Sequence, residues 1–405
     1  SDKIMYHGKE TMTQKFHWIS EIGYWQDADE SGAKIRQLTG QISMATNIYC
    51  EDPACSKNNR IAVFRTTSPG RTPGELHIVD LNEMRSCLVD SDMTWIASFP
   101  QAYGDFYFYC RFHENKWEIR KLCFFPLEIE TVHTFFQDHL PYETLGSASP
   151  CGRYLASYHT HPDDTYEVVV FDTETKNEIS LVRSHEFCNP HPRFDRINGE
   201  FVLVQHNRGY RRVNGVIKKF EDTGVTLVLF SRDGKSKTIL PVSRPFIPQG
   251  ISGHEAWLNN KPAFIFSTSP ADLPYDDGNR CGNLLIYEIG DQKPHVAAHA
   301  PETYFGHVST SACGGYWCCD AWHWKPGDEN VCAGCSPDIA VGSIKTGKFA
   351  FVCKVGGFWT GYEIVHSHPY LSADNKCVIF TSTRTGFPQV FAAMLPDGFL
   401  ENLDS

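Results

Sequence analysis

The sequence predicts an all-β protein, a seven-bladed β-propeller, and three observations lead to this fold class. Helical periodicity is nearly absent along the chain. Short alternating or apolar runs are bounded throughout by Gly, Asn, Asp and Pro, as is usual for strands joined by turns. One pattern, a short strand followed by a polar turn and a strand of apolar and aromatic residues, recurs at a spacing typical of propeller blades.

Seven copies of this pattern follow one another along the chain. They are IYCEDPACSKNNRIAVF near residue 48, TWIASFPQAYGDFYFYC near 94, LGSASPCGRYLASY near 145, NPHPRFDRINGEFVLVQ near 189, GHEAWLNNKPAFIF near 253, GHVSTSACGGYWCCD near 306 and HSHPYLSADNKCVIF near 366. Runs between the copies, such as YEVVVFDTET and NLLIYEIGD, have the composition of outer strands. Two β-sandwich domains are the alternative, and the regular spacing favours the propeller.

The repeat also predicts the domain organisation. A chain of 405 residues exceeds the usual size of one domain, but repeated units share one continuous core. No linker rich in Pro, Gly and Ser interrupts the chain, so we predict a single propeller domain over residues 1–405 with blades from about residue 46 to about residue 400. The segment 1–45 lacks the repeat and either covers or closes the ring.

Charge and hydropathy exclude several classes of partner. The net charge of −11 argues against a broad nucleic-acid surface or an anionic membrane surface. No apolar run is long enough to span a bilayer. The start, SDKIMYHGKE, has no signal-peptide core. We therefore expect a cytoplasmic protein, or a periplasmic or secreted one if a leader has been removed; the sequence gives no oligomeric state.

The 15 cysteines are an odd number and follow no disulfide scaffold. Most are therefore predicted to be free, buried thiols in a reducing compartment. Cys332 and Cys335 have the C-x-x-C spacing of a zinc knuckle, but no second C-x-x-C accompanies them. Loop cysteines are the preferred interpretation of the group from Cys313 to Cys335, and a structural zinc is the alternative.

Histidines gather in the inner strands of the last copies. In a propeller the first strand of each blade lines the central channel, and the segment before each polar turn is that strand. These segments contain His191, His254, His307, His366 and His368. Side chains alternate along a strand, so His366 and His368 face the same side. For a single histidine, a structural imidazole is the better interpretation, whereas the H-x-H pair with a third histidine in the neighbouring copy predicts a metal site.

At these residues the chain resembles the oligogalacturonate lyases, most specifically over residues 249 to 395. Their Q-x-x-H-x-H-P element corresponds to E-I-V-H-S-H-P at 363–369, and their H-E-x-W element corresponds to 254–257. The resemblance implies a seven-bladed propeller that cleaves short acidic oligosaccharides by β-elimination. It implies His307, Glu363, His366 and His368 as metal ligands and His254 as the general base. Manganese is the expected metal, and Zn, Ca and Mg remain open.

Two departures from the family concern the ligands and the substrate. The family's glutamine ligand is replaced by Glu363, and the strand position of its substrate-binding arginine is Thr226. The loop after the family's His-Glu-Gly element, here His206 to Gly209, is longer than expected. Its arginines are the candidates for the missing one, and they are Arg208, Arg211 and Arg212. Arg208 and Arg211 are given a catalytic role, and His206, Arg212 and Trp257 are expected to bind the sugar.

The predicted chemistry follows from the charge that β-elimination develops on the uronate carboxylate. A bound metal stabilises that charge, and a neutral imidazole near C5 accepts the proton. The default substrate is oligogalacturonate, and a lyase for a different uronide is an alternative. A non-catalytic propeller of the TolB or WD-repeat kind, which binds a glycan or a protein, is the second. The propeller half of a serine peptidase ranks last, because no G-x-S-x-G element is present.

Overall fold

The fold is described by a computed structural model over residues 16–21, 25–27, 31–40, 43–67, 73–137, 139–142, 146–247, 250–268, 283–300, 303–323, 336–357 and 366–405. For residues 25–27, 95, 96 and 221–223 the backbone alone is described. Within these ranges the chain consists of antiparallel strands and one short C-terminal helix. No helix in them is long and apolar enough to cross a membrane.

Seven antiparallel units are described; the first six have four strands each and the seventh has five. The first three contain β3 (Met44–Thr46), β4 (Arg60–Thr66), β5 (Gly74–Asp80), β6 (Arg85–Pro100), β7 (Phe106–His113), β8 (Lys116–Phe124), β9 (Leu127–Phe135), β10 (Ser147–Ala148), β11 (Tyr154–Thr160), β12 (Tyr166–Asp172) and β13 (Glu178–Ser184). The long β6 belongs to two of them. Its first part pairs with β5 as the outer strand of blade 1, and its second part pairs with β7 as the inner strand of blade 2.

Blades 4 to 6 repeat the four-stranded arrangement. They contain β14 (Arg193–Phe194), β15 (Phe201–Val213), β16 (Val216–Ser231), β17 (Lys237–Ile239), β18 (Ile251–Trp257), β19 (Ala263–Thr268), β20 (Leu284–Glu288), β21 (His295–Ala298), β22 (Thr303–Thr310), β23 (Tyr316–His323), β24 (Asp338–Ser343) and β25 (Phe349–Lys354). In blade 4, β15 and β16 extend beyond the other strands as a long hairpin that ends at Asn214 and Gly215.

Blade 7 joins the two ends of the chain. Its strands are β26 (Tyr370–Leu371), β27 (Cys377–Ser382), β28 (Gln389–Met394), β2 (Lys34–Gln37) and β1 (Trp25–Asp27), with helix α1 (Phe399–Asp404) after them. The N-terminal strand β2 pairs antiparallel with the C-terminal strand β28. An N-terminal strand therefore completes the last blade.

The core is divided into seven apolar clusters, and each lies between two neighbouring blades. For example, Ile339 and Val341 of β24 pack against Val378 and Phe380 of β27 between blades 6 and 7. A further cluster brings Ile379 of blade 7 against blade 1, which closes the ring. The remaining five clusters fill the intervening spaces. The predicted seven-bladed β-propeller is confirmed.

The apolar runs of the second strands follow from this packing. All six residues of β27, Cys377–Ser382, are buried, because one set of alternate side chains faces blade 6 and the other faces blade 1. Close packing also explains why residue 342 is a glycine. Gly342 lies opposite Trp317 across β23 and β24, and a Cβ at Gly342 would approach the indole to 2.3 Å.

Candidate active site

Four histidines occupy the same position in four successive blades. The turn after each inner strand is closed by a backbone N–H hydrogen bond. Each histidine lies four residues before the residue that donates this bond. The histidines are His191, His254, His307 and His368, and the turn residues are Asp195, Leu258, Ser311 and Ser372. Because the blades surround one axis, equivalent positions converge on the channel.

The backbone is irregular at all four positions. His254 and His307 lie at β-bulges, where the register of β18 with β19 and of β22 with β23 shifts. His191 and His368 have positive φ angles of 44° and 40°, which are uncommon for residues other than glycine. Bulges and left-handed residues re-aim side chains and occur often at functional sites. All four imidazoles thus leave the backbone at irregular positions.

Three of the imidazoles form a cluster with the geometry of a metal site. His307, His366 and His368 each offer a ring nitrogen, and these three atoms lie within 4.8 Å of one another. The ring centroids of His307 are 5.3 Å from those of His366 and 4.6 Å from those of His368. The H-x-H pair of blade 7 and the histidine of blade 6 therefore meet, although about 60 residues separate them in the chain.

Asp320 of β23 holds the ring of His307. Its Oδ2 lies 2.8 Å from His307 Nδ1, and its Oδ1 accepts a hydrogen bond of 2.7 Å from the His307 backbone N–H. Ser367 also donates to Oδ2. Burial would raise the pKa of Asp320, but His307 and Ser367 lower it below its usual value. An ionised carboxylate only accepts hydrogen bonds, so Nδ1 of His307 carries the proton and Nε2 presents the lone pair that a cation needs.

The chemistry of His368 fits a metal ligand. The side chain is buried, and neither ring nitrogen has a hydrogen-bond partner among the described residues. Burial, together with the neighbouring His307 and His366, lowers the pKa of His368 well below its usual value. The imidazole is therefore neutral at pH 7, which is the form that binds metals. A buried imidazole without partners is costly, and a bound cation would satisfy it.

His254 lies beside this cluster and is oriented by a carboxylate from blade 1. Its ring centroid is 4.4 Å from that of His307. Its Nδ1 lies 3.4 Å from Oε1 of the fully buried Glu51, and the hydroxyl of Tyr49 donates to the same oxygen at 3.1 Å. Burial and the nearby His307 lower the pKa of His254. The neutral ring that results has a lone pair for a proton, and its side chain keeps about a fifth of its surface exposed.

Arg193 balances the charge of Glu51. Its Nε donates to Glu51 Oε2 at 3.1 Å, and its Nη2 lies 3.1 Å from the same oxygen. Burial would raise the pKa of Glu51, but the adjacent His191, His254 and Arg193 hold it well below its usual value. Glu51 is therefore an anion in the interior, paired with a buried guanidinium.

Gln205 of β15 contacts the residues on either side of His254. Its Nε2 donates to the carbonyl of Gly253 and to Glu255 Oε1, each at 2.7 Å. Burial and the negative charge of Glu51 raise the pKa of Glu255 to about 8. Glu255 is therefore a neutral acid at pH 7, and it adds no charge beside the candidate base.

Comparison with known proteins identifies the fold. No protein-family model and no curated protein matches the chain. Among solved structures, an oligogalacturonate lyase in complex with manganese superposes with a TM-score of 0.70 at 15% identity, over 95% of this chain and 99% of the other. An oligogalacturonate lyase from Vibrio parahaemolyticus gives 0.71 at 15% identity, over 95% and 100%. The chain has the fold of the oligogalacturonate lyases.

A third solved structure is more distant. The β-propeller domain of the trilobed protease from Pyrococcus furiosus gives a TM-score of 0.51 at 12% identity, over 93% of this chain and 99% of that domain. The predicted resemblance to the oligogalacturonate lyases is thus confirmed for the fold. At this level of identity the roles of individual residues rest on the geometry of the site.

Several residues expected from the oligogalacturonate lyases are engaged elsewhere. Arg211 pairs with Glu186 at 2.8 Å, and Nε2 of His206 lies 3.3 Å from the same carboxylate. Arg212 lies 3.6 Å from Asp164. These three side chains lie on β15, and their contacts link the β15–β16 hairpin to Glu186 and Asp164. Arg208 forms a different contact, because its Nη2 donates to the carbonyl of Arg244 at 3.1 Å.

Trp257 belongs to the core. Its side chain is 1% exposed and packs with Phe264 between blades 4 and 5. Its Nε1 donates to the carbonyl of Arg193 at 3.2 Å. Neither face of the indole is open to a sugar, so we place Trp257 in the core and not among the substrate-binding residues.

Two sequence predictions lie wholly or partly outside the described residues. The proposed fourth ligand, Glu363, lies outside them, as do Cys332 and Cys335. All twelve described cysteines are free thiols and nine of them are buried, as predicted.

Glu51 and Asp320 are the residues that sequence reasoning missed. Glu51 lies in the first copy of the repeat, beside Asp52, which has the position that the histidines occupy in later blades. Asp320 lies on β23 opposite the bulge that contains His307. Aligning the seven copies on their turn residues would have pointed to the Glu51–Asp52 pair, because it places two acids where other blades have imidazoles.

Proposed function

We propose that this protein is a metal-dependent lyase that cleaves short uronic-acid oligosaccharides by β-elimination. The observation that carries the proposal is the pairing of two different histidine environments in one channel. His307, His366 and His368 form a cluster suited to a cation, and His254, in ring contact with His307, is held by a carboxylate. The fold shared with oligogalacturonate lyases supports the same conclusion.

His254 is the proposed general base. Glu51 is an anion, so the proton of the His254 ring lies on Nδ1, where it faces the carboxylate. Nε2 then holds the lone pair and accepts the proton from C5 of the uronate. The positive charge that forms on the ring is stabilised by Glu51, as the carboxylate does in other acid–histidine pairs.

The cluster of His307, His366 and His368 is proposed to hold a metal that would act on the carboxylate of the same sugar. A divalent cation at His307, His366 and His368, with manganese as the first choice, supplies a Lewis acid for the charge that develops there. Glu363 remains the proposed fourth ligand. Asp320 orients His307 by fixing its tautomer, and the strained backbone of His368 aims that ring at the other two.

A second carboxylate of the oligosaccharide requires a cation of its own. Arg208, Arg211 and Arg212 are the proposed binders, and Arg208 is preferred for its place at the base of the β15–β16 hairpin, where the register of the two strands shifts. Arg208 also lies three residues beyond Gln205, whose amide contacts both neighbours of His254. A planar guanidinium suits a bidentate contact with a carboxylate.

The test combines metal analysis with a lyase assay. The purified protein is analysed for bound divalent metal and incubated with digalacturonate and trigalacturonate, while the absorbance of the unsaturated uronide is followed. We expect bound metal and rising absorbance. We expect His254→Gln to retain the metal and lose turnover, and His366→Gln to lose both.

A matched control comes from the same blade as His307. His323 lies at the end of β23, is exposed and faces Asp338, so His323→Gln tests a histidine–carboxylate pair outside the channel. It should leave metal content and rate unchanged. Bound metal without turnover of either galacturonate would direct the assay to glucuronate-containing oligosaccharides. Absence of both metal and turnover would contradict the proposal.

A further inference from the structure

His191, one of the four histidines at equivalent positions, is neither a proposed metal ligand nor the proposed base. It lies in blade 4 at the position that His254 occupies in blade 5. It is not one of the three clustered imidazoles. Its φ of 44° is left-handed, as at His368, and a proline follows both residues. A bulky residue held in that conformation is strained, and strain of this kind is retained where the direction of a side chain matters.

Glu51 is shared between His191 and His254. His254 Nδ1 lies 3.4 Å from Oε1, and His191 Nδ1 lies 3.6 Å from Oε2. Each imidazole therefore points its Nδ1 at a different oxygen of the same buried carboxylate. Their side chains are 18% and 19% exposed, whereas Glu51 is completely buried. Two partly accessible imidazoles thus border the channel on either side of one anion.

β-Elimination needs two proton transfers at different atoms of the sugar. The base removes the proton from C5, the electron pair forms the C4–C5 double bond, and the bond from C4 to the glycosidic oxygen breaks. That oxygen belongs to a hydroxyl group of the departing sugar and must gain a proton. A sugar alkoxide is a poor leaving group, so a positioned acid at this oxygen accelerates the reaction.

We propose that His191 is the general acid that protonates the departing glycosidic oxygen, with Glu51 stabilising its imidazolium form. This inference rests on the proposed lyase function. In the forward step His254 gains the C5 proton and His191 gives up one proton to the oxygen, so the number of protons on the pair is unchanged. Exchange with water in the channel then returns each histidine to its starting form. The anion of Glu51 faces whichever ring is charged, which explains why one carboxylate lies between two imidazoles.

The test uses leaving groups of different basicity. One substrate is digalacturonate, whose departing sugar needs a proton. The other is a galacturonate with a 4-nitrophenyl ether at C4, whose nitrophenolate leaves without one. The variant is His191→Asn, because asparagine tolerates the left-handed backbone and cannot act as the acid. We expect it to lose about 100-fold or more in kcat on digalacturonate and less than about tenfold on the aryl ether.

A second readout follows the base alone. In deuterated water, His191→Asn should still exchange the C5 proton of digalacturonate, because His254 is intact and departure of the oxygen is blocked. His254→Gln should lose exchange and turnover of both substrates. Metal content and Tm of His191→Asn should equal those of the wild type, which shows that the variant is folded.

Three outcomes would overturn the proposal. An equal loss on both substrates would make His191 a positioning residue, and an unchanged rate on digalacturonate would leave it without a role. Loss of C5 exchange in His191→Asn would show that it acts through the base. Failure of the proposed function is distinguishable, since the wild type would then turn over neither substrate and exchange no C5 proton.

Discussion

Oδ2 of Asp320 lies 2.8 Å from Nδ1 of His307, so a carboxylate and a ring on adjacent strands of blade 6 form one unit. The carboxylate also accepts the backbone N–H of His307 and the hydroxyl of Ser367, and it is completely buried. The rotamer and the tautomer of His307 are therefore set before any ligand arrives. Carboxylate partners of this kind usually tune the metal affinity of the histidine they hold.

Asp320→Asn is expected to weaken metal binding by about 10- to 100-fold, because a neutral amide orients His307 less strongly and makes it a poorer ligand. Competition with a chelator of known affinity measures the change. Asp338→Asn is the control, since Asp338 pairs at 2.8 Å with the exposed His323 at the end of the same strand. If Asp320→Asn and the wild type bind the metal with equal affinity, His307 is not a metal ligand.

A divalent metal is expected to stabilise the wild type and not His368→Asn. His368 is buried, and its ring nitrogens have no partner among the described residues. A ligand that binds only the folded state at 100 times its Kd adds about 2.7 kcal/mol to the free energy of unfolding. Asparagine accepts the positive φ but removes the imidazole. Thermal unfolding with and without manganese gives the two differences.

The control for that measurement is His185→Asn. His185 is exposed and contacts the carbonyl of Asp164. In sequence it is far from the three clustered histidines. It should show the same rise in Tm with manganese as the wild type. A full metal-dependent rise in His368→Asn would place the cation elsewhere.

Glu51→Gln is expected to destabilise the protein by about 3–5 kcal/mol, because it leaves the buried Arg193 with a weaker partner. Asp52, at 3.5 Å from Arg193, offsets a part of this. The double variant Glu51→Gln/Arg193→Met should lose less than the sum of the single variants. Urea unfolding of all four proteins completes the double-mutant cycle. Additive losses would show that the two side chains are not coupled.

The Glu51–His254 contact also shows what the sequence could predict. The four histidines are predictable because each lies at a fixed distance from a turn, and turns are local features. The convergence of blades 6 and 7 on one point followed from the repeat alone. The contacts of Glu51 with Arg193 and His254 could not be predicted, because these partners lie about 140 to 200 residues away and meet Glu51 only when the ring closes. Long-range charge pairs of this kind are set by tertiary packing.

Trp257 shows the opposite error. Its place in an H-E-x-W element beside the candidate base predicted a sugar contact. Side chains alternate along β18, so the indole faces the space between blades 4 and 5 instead. The arginines of the hairpin were recognised as cations, but their acid partners come from the neighbouring segment and could not be paired by sequence.

Trp257→Phe is expected to cost about 2–3 kcal/mol of unfolding free energy, because it leaves a cavity and removes the hydrogen bond to the carbonyl of Arg193. Phe387→Leu is the control, since Phe387 is 55% exposed and should change stability by less than about 0.5 kcal/mol. Urea unfolding measures both. If Trp257→Phe is as stable as the wild type but has a raised KM for the oligosaccharide, Trp257 is a substrate-binding residue.

Glu255 predicts a pH dependence whose sign follows from linkage. Its pKa is raised from an ordinary value of 4.5 to about 8 by burial and by Glu51. Between these values the folded state binds a proton that the unfolded state has released. The free energy of unfolding contributed by this group therefore falls as pH rises from about 5 to 8, and the full contribution is present below the unfolded pKa.

Glu255→Gln removes this titration and keeps an oxygen to accept from Gln205 at the position of Oε1. We expect its stability to change less than that of the wild type between pH 5 and pH 8, and to exceed it at pH 8. Glu288→Gln is the control, because Glu288 is partly exposed and pairs with Lys261 on the surface. Urea unfolding at pH 5, 6, 7 and 8 gives the slopes. A slope in Glu255→Gln as steep as in the wild type would mean that Glu255 is ionised in the folded protein.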